Sequence, residues 1–330
     1  MKHKMLLMLF AALISALAAG CVAPQIDLFT DATDPLESYT LSGTGKQKVL
    51  LVPVQGIITD NAEDDMLRSR PGMVQEIVAQ LDMAREDPDL RAVLLKIDSP
   101  GGSVTASDIL YNEIKQFKED TDKKVLVAMM NIAASGGYYI ALPADRIMAH
   151  PTTITGSVGV IFMRPDITGL MDKIGVSVAV DTSGKNKDMG SPFRKSSEAE
   201  QEIFEDLIDS LGRQFTRRVE EHRQISARKL ESIATARIFL AEEALEKGLI
   251  DEIGYLPEAI DKAKQMAGIA EDSRVVVYRR SEFPDDNIYN SLQMRQARRP
   301  PLVDLGLPPE LSRRLTGFYY LWHPGLGNNQ

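Results

Sequence analysis

The stretch "RAVLLKIDSPGGS", residues 91–103, passes from an apolar run into a loop rich in glycine. Residues 91–98 predict a buried strand, because apolar side chains occupy consecutive positions rather than alternate ones. Glycine and proline then end the strand, and residues 105–118 place apolar side chains at helical spacing. A strand that leads through a tight loop into a helix is the repeating unit of parallel α/β sheets.

The same unit recurs on both sides of this stretch. Further buried strands are predicted at 48–59, 123–130, 146–150 and 176–182. Helices are predicted at 69–90, in a short segment from 135, and at 198–222, where Ser197 and Glu200 have the spacing of a capping box. The apolar stripe of the last helix indicates a core or subunit contact. The alternation predicts an α/β fold with parallel strands buried on both faces.

The two ends of the chain differ in composition from its centre. Residues 1–20 have a basic start and a short apolar run, which is typical of a secretory signal. They end at Cys21, the only cysteine, in "LAAGC", which resembles a bacterial lipobox and implies acylation of Cys21. Plain secretion after cleavage at Ala18 is the alternative. Valine at position 22 favours the outer membrane, with the domain in the periplasm of a bacterial envelope.

These features predict four segments: a lipoprotein signal at 1–20, a tether at 21–46, a catalytic domain at 47–275 and a C-terminal extension at 276–330. The extension is rich in proline and charge, yet it closes with the aromatic cluster "FYYLW" at 318–322. Solvated tails rarely collect aromatic residues, so this cluster is expected to dock on something, for example a neighbouring subunit.

The net charge of −9 argues against nucleic acid as a partner, because a phosphate binder needs a cationic face. One cysteine and scattered histidines form no ligand cluster, so neither a metal nor a cofactor is expected.

Two loops combine glycine with residues that could carry chemistry. "DSPGGS", 98–103, follows one strand, and "AASGGYY", 133–139, follows the next. Sites in parallel sheets lie beyond the carboxyl ends of strands, and glycine backbone N–H groups there can stabilise an oxyanion. Ser135 is therefore a candidate nucleophile; the alternative is a serine that only caps the following helix.

A serine nucleophile needs a base. Of the four histidines only His150, at the end of a strand, is a candidate, and a structural role suits it as well. The loop "TSGKNKDMGSPFR", 182–194, offers Lys185 and Lys187. Lysine acts as a base only when it is neutral, and burial favours the neutral form.

Four segments together resemble the signal peptide peptidase A (SppA-type) family: "DSPGGS", "ASGGYYIALPADRIMAHPTTITGSVGV", "SGKNKDMGSPFR" and "ALEKGLIDEIG". The resemblance runs from about residue 47 to 270. It implies the Clp protease/crotonase-like α/β fold, a spiral of β-β-α units, and cleavage of peptide bonds by a serine and a lysine.

The resemblance also assigns roles to residues. Ser135 matches the nucleophile, Lys187 the general base, and Ser157 a serine that supports that base. Gly102 and Gly136 match the backbone donors of the oxyanion hole, and Lys185 becomes a solvated loop residue.

The short form of the family implies a homo-oligomeric ring with an enclosed, apolar groove that would desolvate Lys187. The expected function is a membrane-anchored endopeptidase that acts on remnant signal peptides or other apolar peptides. Two alternatives remain open: a crotonase-type acyl-CoA enzyme, and a lipoprotein scaffold without catalysis. Export argues against the first, and the intact set of matched residues argues against the second.

Overall fold

The computed structural model describes residues 34–61, 63–65, 68–283, 286–290 and 317–322. In chain order the elements are β1 (Glu37–Ser42), β2 (Lys48–Gln55), β3 (Glu63–Asp65), β4 (Arg68–Arg70), α1 (Met73–Glu86), β5 (Leu90–Ser99), β6 (Gly101–Ser103), α2 (Val104–Asp120), β7 (Lys124–Ala134), α3 (Gly136–Tyr139), β8 (Arg146–Ala149), β9 (Ile154–Gly156), β10 (Ile161–Met163), α4 (Thr168–Ile174), α5 (Glu198–His222), α6 (Ala227–Ile233), β11 (Ile238–Leu240), α7 (Ala241–Lys247), β12 (Glu252–Ile253), α8 (Leu256–Met266), β13 (Arg274–Arg279) and β14 (Gly317–Leu321).

The main sheet has the strand order β1-β13-β2-β5-β7-β8-β12, and β9 and β11 extend it beyond β7. Strands β13, β2, β5, β7, β8 and β12 are parallel, as the alternating pattern predicts. Strand β7 is long enough to change partner: it pairs first with β8 and then, over Ile132–Ala134, with β9. β7 thus leaves β8 and pairs with β9 at its carboxyl end, and Ser135 follows directly after this change of partner.

Both faces of the sheet are covered, which explains the continuous apolar runs. One face packs on helices α1, α2, α3, α5, α6 and α7, and the other packs on α8. In β5, Val93 and Leu95 belong to the first cluster, whereas Ala92 and Leu94 belong to the second. Full burial of each such valine or leucine side chain stabilises the fold by about 1.5–3 kcal/mol.

A second, antiparallel sheet stands next to the ends of the main strands, in the order β10-β14-β6. Strand β6 follows β5 after Pro100 alone. The Ser99 hydroxyl holds this corner, because it donates to the Gly56 carbonyl (2.6 Å) and accepts from the Gly101 N–H (3.1 Å). The corner turns the chain out of the main sheet and presents the glycines of β6 beside Ser135.

The predicted strand at 176–182 is wrong. Residues 176–182 form no ladder within the described part of the chain, and Val176, Val178 and Val180 are 51%, 46% and 53% exposed. A strand needs a neighbouring strand to pair its backbone groups, and no strand among the described residues lies alongside this segment. The predicted strands at 48–59, 91–98, 123–130 and 146–150 and the predicted helices are confirmed in kind, with shifts at their ends.

The segments expected to be a tether and a tail each contribute strands. Within 21–46, β1 pairs antiparallel with β13, and Tyr39 and Leu41 turn toward the apolar cluster under α8. Strand β13 crosses the expected boundary at 275, and β14 lies in the expected extension. Short edge strands with polar neighbours lack the apolar run that marks the central ones. The domain boundaries stay predictions.

In the residues that the structure describes, no helix combines the length and apolar character needed to cross a bilayer. Cys21 and the signal segment lie outside the described residues.

Candidate active site

Ser135 occupies a strained position between β7 and α3. Its backbone has φ 53° and ψ −117°, a region that costs a residue with a side chain on the order of 1–3 kcal/mol. The Gly156 carbonyl of β9 holds the turn by accepting from the Ser135 N–H at 2.8 Å. The side chain makes no capping hydrogen bond to the helix, so the capping alternative does not account for this serine.

The two residues after Ser135 have no room for a side chain. A Cβ on Gly136 would lie 2.5 Å from the Ser107 hydroxyl, and one on Gly137 would lie 2.6 Å from the Ser99 carbonyl. Helix α3 therefore packs directly against β5 and α2. This contact fixes the direction of the Gly136 N–H relative to Ser135.

The two glycine-rich loops meet, as the sequence predicts. Gly101 has φ 103°, and a Cβ on it would lie 2.7 Å from the Gly136 backbone nitrogen. A Cβ on Gly102 would lie 1.9 Å from the Ile58 carbonyl oxygen. The glycine backbones of β6 and α3 thus converge next to Ser135, the arrangement that an oxyanion hole requires.

Ser157 lies directly after the residue that holds Ser135. It is buried, has φ 52°, and donates its N–H to the Arg237 carbonyl at 2.9 Å. Because Gly156 accepts from Ser135 and precedes Ser157, the structure brings these two serines to one corner of the sheet.

Lys187 does not join this cluster in a single chain. It lies exposed in the loop after α4, and so does Lys185. No hydrogen bond or ion pair of the Lys187 side chain appears among residues 34–61, 63–65, 68–283, 286–290 and 317–322. The local turn is held by the Lys187 N–H, which donates to the Gly184 carbonyl at 3.0 Å.

Arg194 anchors the Lys187 loop to α5, a role that sequence reasoning missed. Its guanidinium donates to both carboxylate oxygens of Asp188 (2.7 and 2.8 Å) and to Glu200 (3.0 Å). These hydrogen bonds to Arg194 hold the pKa of both carboxyl groups below their usual range. Glu200 also completes the predicted capping box with Ser197. The sequence contains a signal for this role, because Arg194 lies three residues before the capping serine, Ser197.

The histidines have other partners. His150 contacts the Thr152 hydroxyl at 2.9 Å and packs edge-on against Tyr255 at 5.0 Å. His222 contacts the Tyr111 hydroxyl at 2.6 Å, and burial lowers its pKa. The structure therefore favours a structural role for His150.

Comparisons with known proteins match this architecture. The model of Peptidase family S49 matches residues 117–270, and the model of Clp protease matches residues 68–156. A protein of Enterococcus faecium, named as a candidate signal peptide peptidase SppA, is 33% identical over 252 residues, which are 76% of this chain and 73% of that protein. Protease 4 of Haemophilus influenzae is 34% identical over 264 residues, 79% of this chain but 41% of that protein.

Among solved structures, a ClpP1 variant from Listeria monocytogenes has a TM-score of 0.42 and 19% identity, covering 64% of this chain and 94% of that one.

Fold and matches together define a serine peptidase, a hydrolase with a Clp protease/crotonase-like α/β fold. The chain belongs to Peptidase family S49, the SppA-type family.

Proposed function

We propose that the chain is an endopeptidase in which Ser135 attacks the peptide bond and Lys187 is the general base. Ser157 supports the base, and the N–H groups of Gly102 and Gly136 bind the oxyanion. The observation that carries this proposal is the convergence of the two glycine loops at a strained serine. The Cβ position of Gly101 lies 2.7 Å from the Gly136 nitrogen, and Ser135 stands at φ 53° beside it.

The chemistry follows the pattern of Ser-Lys peptidases. Neutral Lys187 takes the proton from Ser135, and Oγ attacks the carbonyl carbon. The tetrahedral oxyanion then accepts hydrogen bonds from Gly102 and Gly136, an interaction that typically contributes about 2.7–4 kcal/mol per donor. Lys187 returns the proton to the leaving amine, and water hydrolyses the acyl-enzyme.

A homo-oligomeric ring would supply the enclosure that Lys187 lacks in one chain. The residues between α4 and the Lys187 loop support this part of the proposal: Val176, Val178 and Val180 expose alternate apolar side chains without a partner strand among the described residues. Pairing of this segment with a second copy would cover both its side chains and its backbone groups. The loop would then lie against protein rather than water.

We further propose that acylated Cys21 anchors the chain to the outer membrane of a bacterial envelope, which Val22 favours over the inner membrane, with the catalytic domain (47–275) in the periplasm. The substrate class is remnant signal peptides or other apolar peptides. Two relatives, named as a signal peptide peptidase and a protease, support a peptide substrate. Family membership favours this function over the acyl-CoA enzyme and the scaffold.

The test is cleavage of a synthetic signal peptide by the purified, assembled protein. Wild type should cleave it, whereas Ser135→Ala and Lys187→Ala should each lose at least about 1000-fold in kcat/KM, as expected when a member of such a catalytic unit is removed. Lys185→Ala is the matched control, two residues away in the same loop, and should retain activity. Full activity of Lys187→Ala would overturn the base assignment.

A further inference from the structure

Strand β7 is irregular shortly before its carboxyl end. Its ladder with β5 pairs Met129 with Ile97, but the next pair joins Ala133 with Ser99. Strand β5 therefore advances by two residues where β7 advances by four, so β7 carries a bulge over residues 130–132. Bulges change the direction of the strand that follows them and are frequent next to active sites.

The Asp98 carboxylate fills the gap that the bulge leaves in the ladder. Asp98 is the β5 residue opposite the bulge, and its Oδ1 accepts the Ile132 N–H at 3.1 Å. Its backbone carbonyl accepts from the Gly56 N–H at 3.0 Å, so the side chain rather than the carbonyl reaches β7. Hydrogen bonds to a carboxylate are roughly twice as strong as neutral ones. This one joins the two strands three residues before Ser135 and four before Gly102.

Two buried threonines hold the other side of the bulge. The Thr153 hydroxyl lies within hydrogen-bond distance of the carbonyls of Met129 (3.0 Å) and Met130. The Thr155 hydroxyl donates to the Ala133 carbonyl at 2.6 Å. Buried backbone groups need a partner, and these hydroxyls supply it where β7 passes from β8 to β9.

Lys96 supplies a positive charge near Asp98. It lies two residues earlier on the same face of β5 and is 9% exposed. Its ammonium donates to the carbonyls of Ile288 at 2.9 Å and Asn290 at 3.4 Å. Burial lowers the pKa of Lys96, and the charge of Asp98 opposes this shift. The two side chains therefore interact through charge, while the hydrogen bond of the Asp98 carboxylate goes to Ile132.

We propose that Asp98 and Thr153 are positioning residues for catalysis, whose side chains hold the bulge of β7 in the shape that brings Ser135 to the oxyanion glycines. The strands that Asp98 joins lead to the two halves of the site, β5 to Gly102 and β7 to Ser135. A displacement of about 1 Å in such a site can cost about 100-fold in rate. This inference rests on the proposed function, because it takes Ser135 as the nucleophile.

Replacement of Asp98 by leucine tests the proposal, because leucine keeps the branched shape and lacks a hydrogen-bond acceptor. In the full, assembled chain, Asp98→Leu should lower kcat for the synthetic signal peptide by about 100-fold and change KM by less than about threefold. Asp98→Asn also removes the charge near Lys96 but keeps an acceptor oxygen. It should lose less than about fivefold in kcat, which isolates the hydrogen bond to Ile132.

Asp145→Leu is the matched control at the other end of β7. The Asp145 carboxylate accepts the Val125 N–H at 2.9 Å and pairs with the Lys118 ammonium at 3.0 Å. Its loss should lower the midpoint of urea unfolding and leave kcat unchanged, because Val125 lies ten residues before Ser135. Equal losses of kcat in Asp145→Leu and Asp98→Leu would reveal general destabilisation and overturn the inference.

Thr153→Val tests the same bulge from its other side, and it replaces Asp98→Leu if that variant does not fold. Valine keeps the shape of threonine without the hydroxyl, so kcat and the rate at which a fluorophosphonate labels Ser135 should both fall by about tenfold. Thr153→Ser restores the hydroxyl and should recover both. Full kcat in folded Asp98→Leu or in Thr153→Val would overturn the inference and leave the Ser-Lys peptidase intact. Absence of cleavage by wild type would refute the proposed function, and this inference with it.

Discussion

At the scale of single residues, the site depends on positions that tolerate no side chain. Gly102 is one of them, since a Cβ would lie 1.9 Å from the Ile58 carbonyl oxygen and 2.6 Å from two further backbone atoms of Ile58. Backbone atoms cannot move aside as a flexible side chain can. The strain at Ser135 and the glycines beside it therefore reflect one requirement, close approach of two backbones.

We predict that Gly102→Ala lowers the free energy of unfolding by about 1–3 kcal/mol, the range for overpacking a buried site, and also abolishes cleavage. Urea denaturation and a peptide assay measure both effects. Gly212→Ala in α5 is the control: apart from the backbone of its own helix, no described atom lies within 4 Å of the position its Cβ would take, so it should raise stability by up to about 1 kcal/mol. Equal stability of Gly102→Ala and wild type would contradict the described approach to Ile58.

The sequence predicted the residues of this corner but not its geometry. Ser135 and the glycine pairs can be recognised because they directly follow apolar runs that predict strands. The two loops are expected to lie close together because parallel strands end at one edge of the sheet. The positive φ of Ser135 and Ser157 was not predictable, because neither residue type requires it. Both serines make backbone hydrogen bonds at the end of β9, a three-residue strand too short to be recognised from its sequence.

At the scale of elements, Arg194 connects the Lys187 loop to the first turn of α5. Asp188 directly follows Lys187, so the hydrogen bonds from Arg194 to Asp188 also restrict Lys187, the proposed base. Glu200 accepts a hydrogen bond from the same guanidinium and completes the capping box at the start of α5. The loop is thus attached through charge rather than through an apolar core.

This attachment should depend on pH. Arg194 lowers the pKa of Asp188 and of Glu200, so their contribution to stability is present above the unfolded values near 4 and is lost as the pH falls through the lowered folded values. We expect Arg194→Met to be less stable than wild type at pH 7 and the difference to shrink by pH 3, measured by urea denaturation.

Lys115→Met is the control for this prediction, because it removes the exposed helix pair Lys115–Glu119. Its effect at pH 7 should stay below about 1 kcal/mol. A stability difference for Arg194→Met that is the same at pH 7 and pH 3 would contradict the proposed role of the two carboxylates.

Element prediction succeeded where burial on both faces leaves an unbroken apolar run, as in β2, β5 and β7. It failed at 176–182, where three valines at alternate positions imitate a strand but remain exposed. The local sequence does not distinguish a strand that is buried within its own chain from a segment that forms a strand only with a partner chain.

At the scale of the whole molecule, the contacts that complete the site come from distant parts of the chain. Strand β14 meets β6 across more than two hundred residues, and no local pattern predicts that pairing. The aromatic cluster predicted docking, but its place along β6, beside the proposed active site, required the structure. By the same reasoning, the exposed valines at 176, 178 and 180 are expected to contact a second copy of the chain.

We predict that Val178→Asp weakens self-association, because a charge at the centre of this apolar segment cannot be buried without a partner. Sedimentation velocity should show a smaller assembly, and cleavage should fall together with assembly because Lys187 stays exposed to water. Asp181→Asn, at an exposed site three residues on, is the control and should assemble as wild type does. An intact assembly of Val178→Asp would remove this segment from the interface.

The most direct measurement for the central claim is covalent labelling of the assembled protein with a fluorophosphonate, with the adduct located by mass spectrometry. The account predicts one adduct, on Ser135, that is absent from Ser135→Ala and forms far more slowly in Lys187→Ala while Lys185→Ala labels as wild type does. An adduct on another serine, or equal labelling rates for Lys187→Ala and wild type, would contradict the assignment of Ser135 and Lys187 as nucleophile and base.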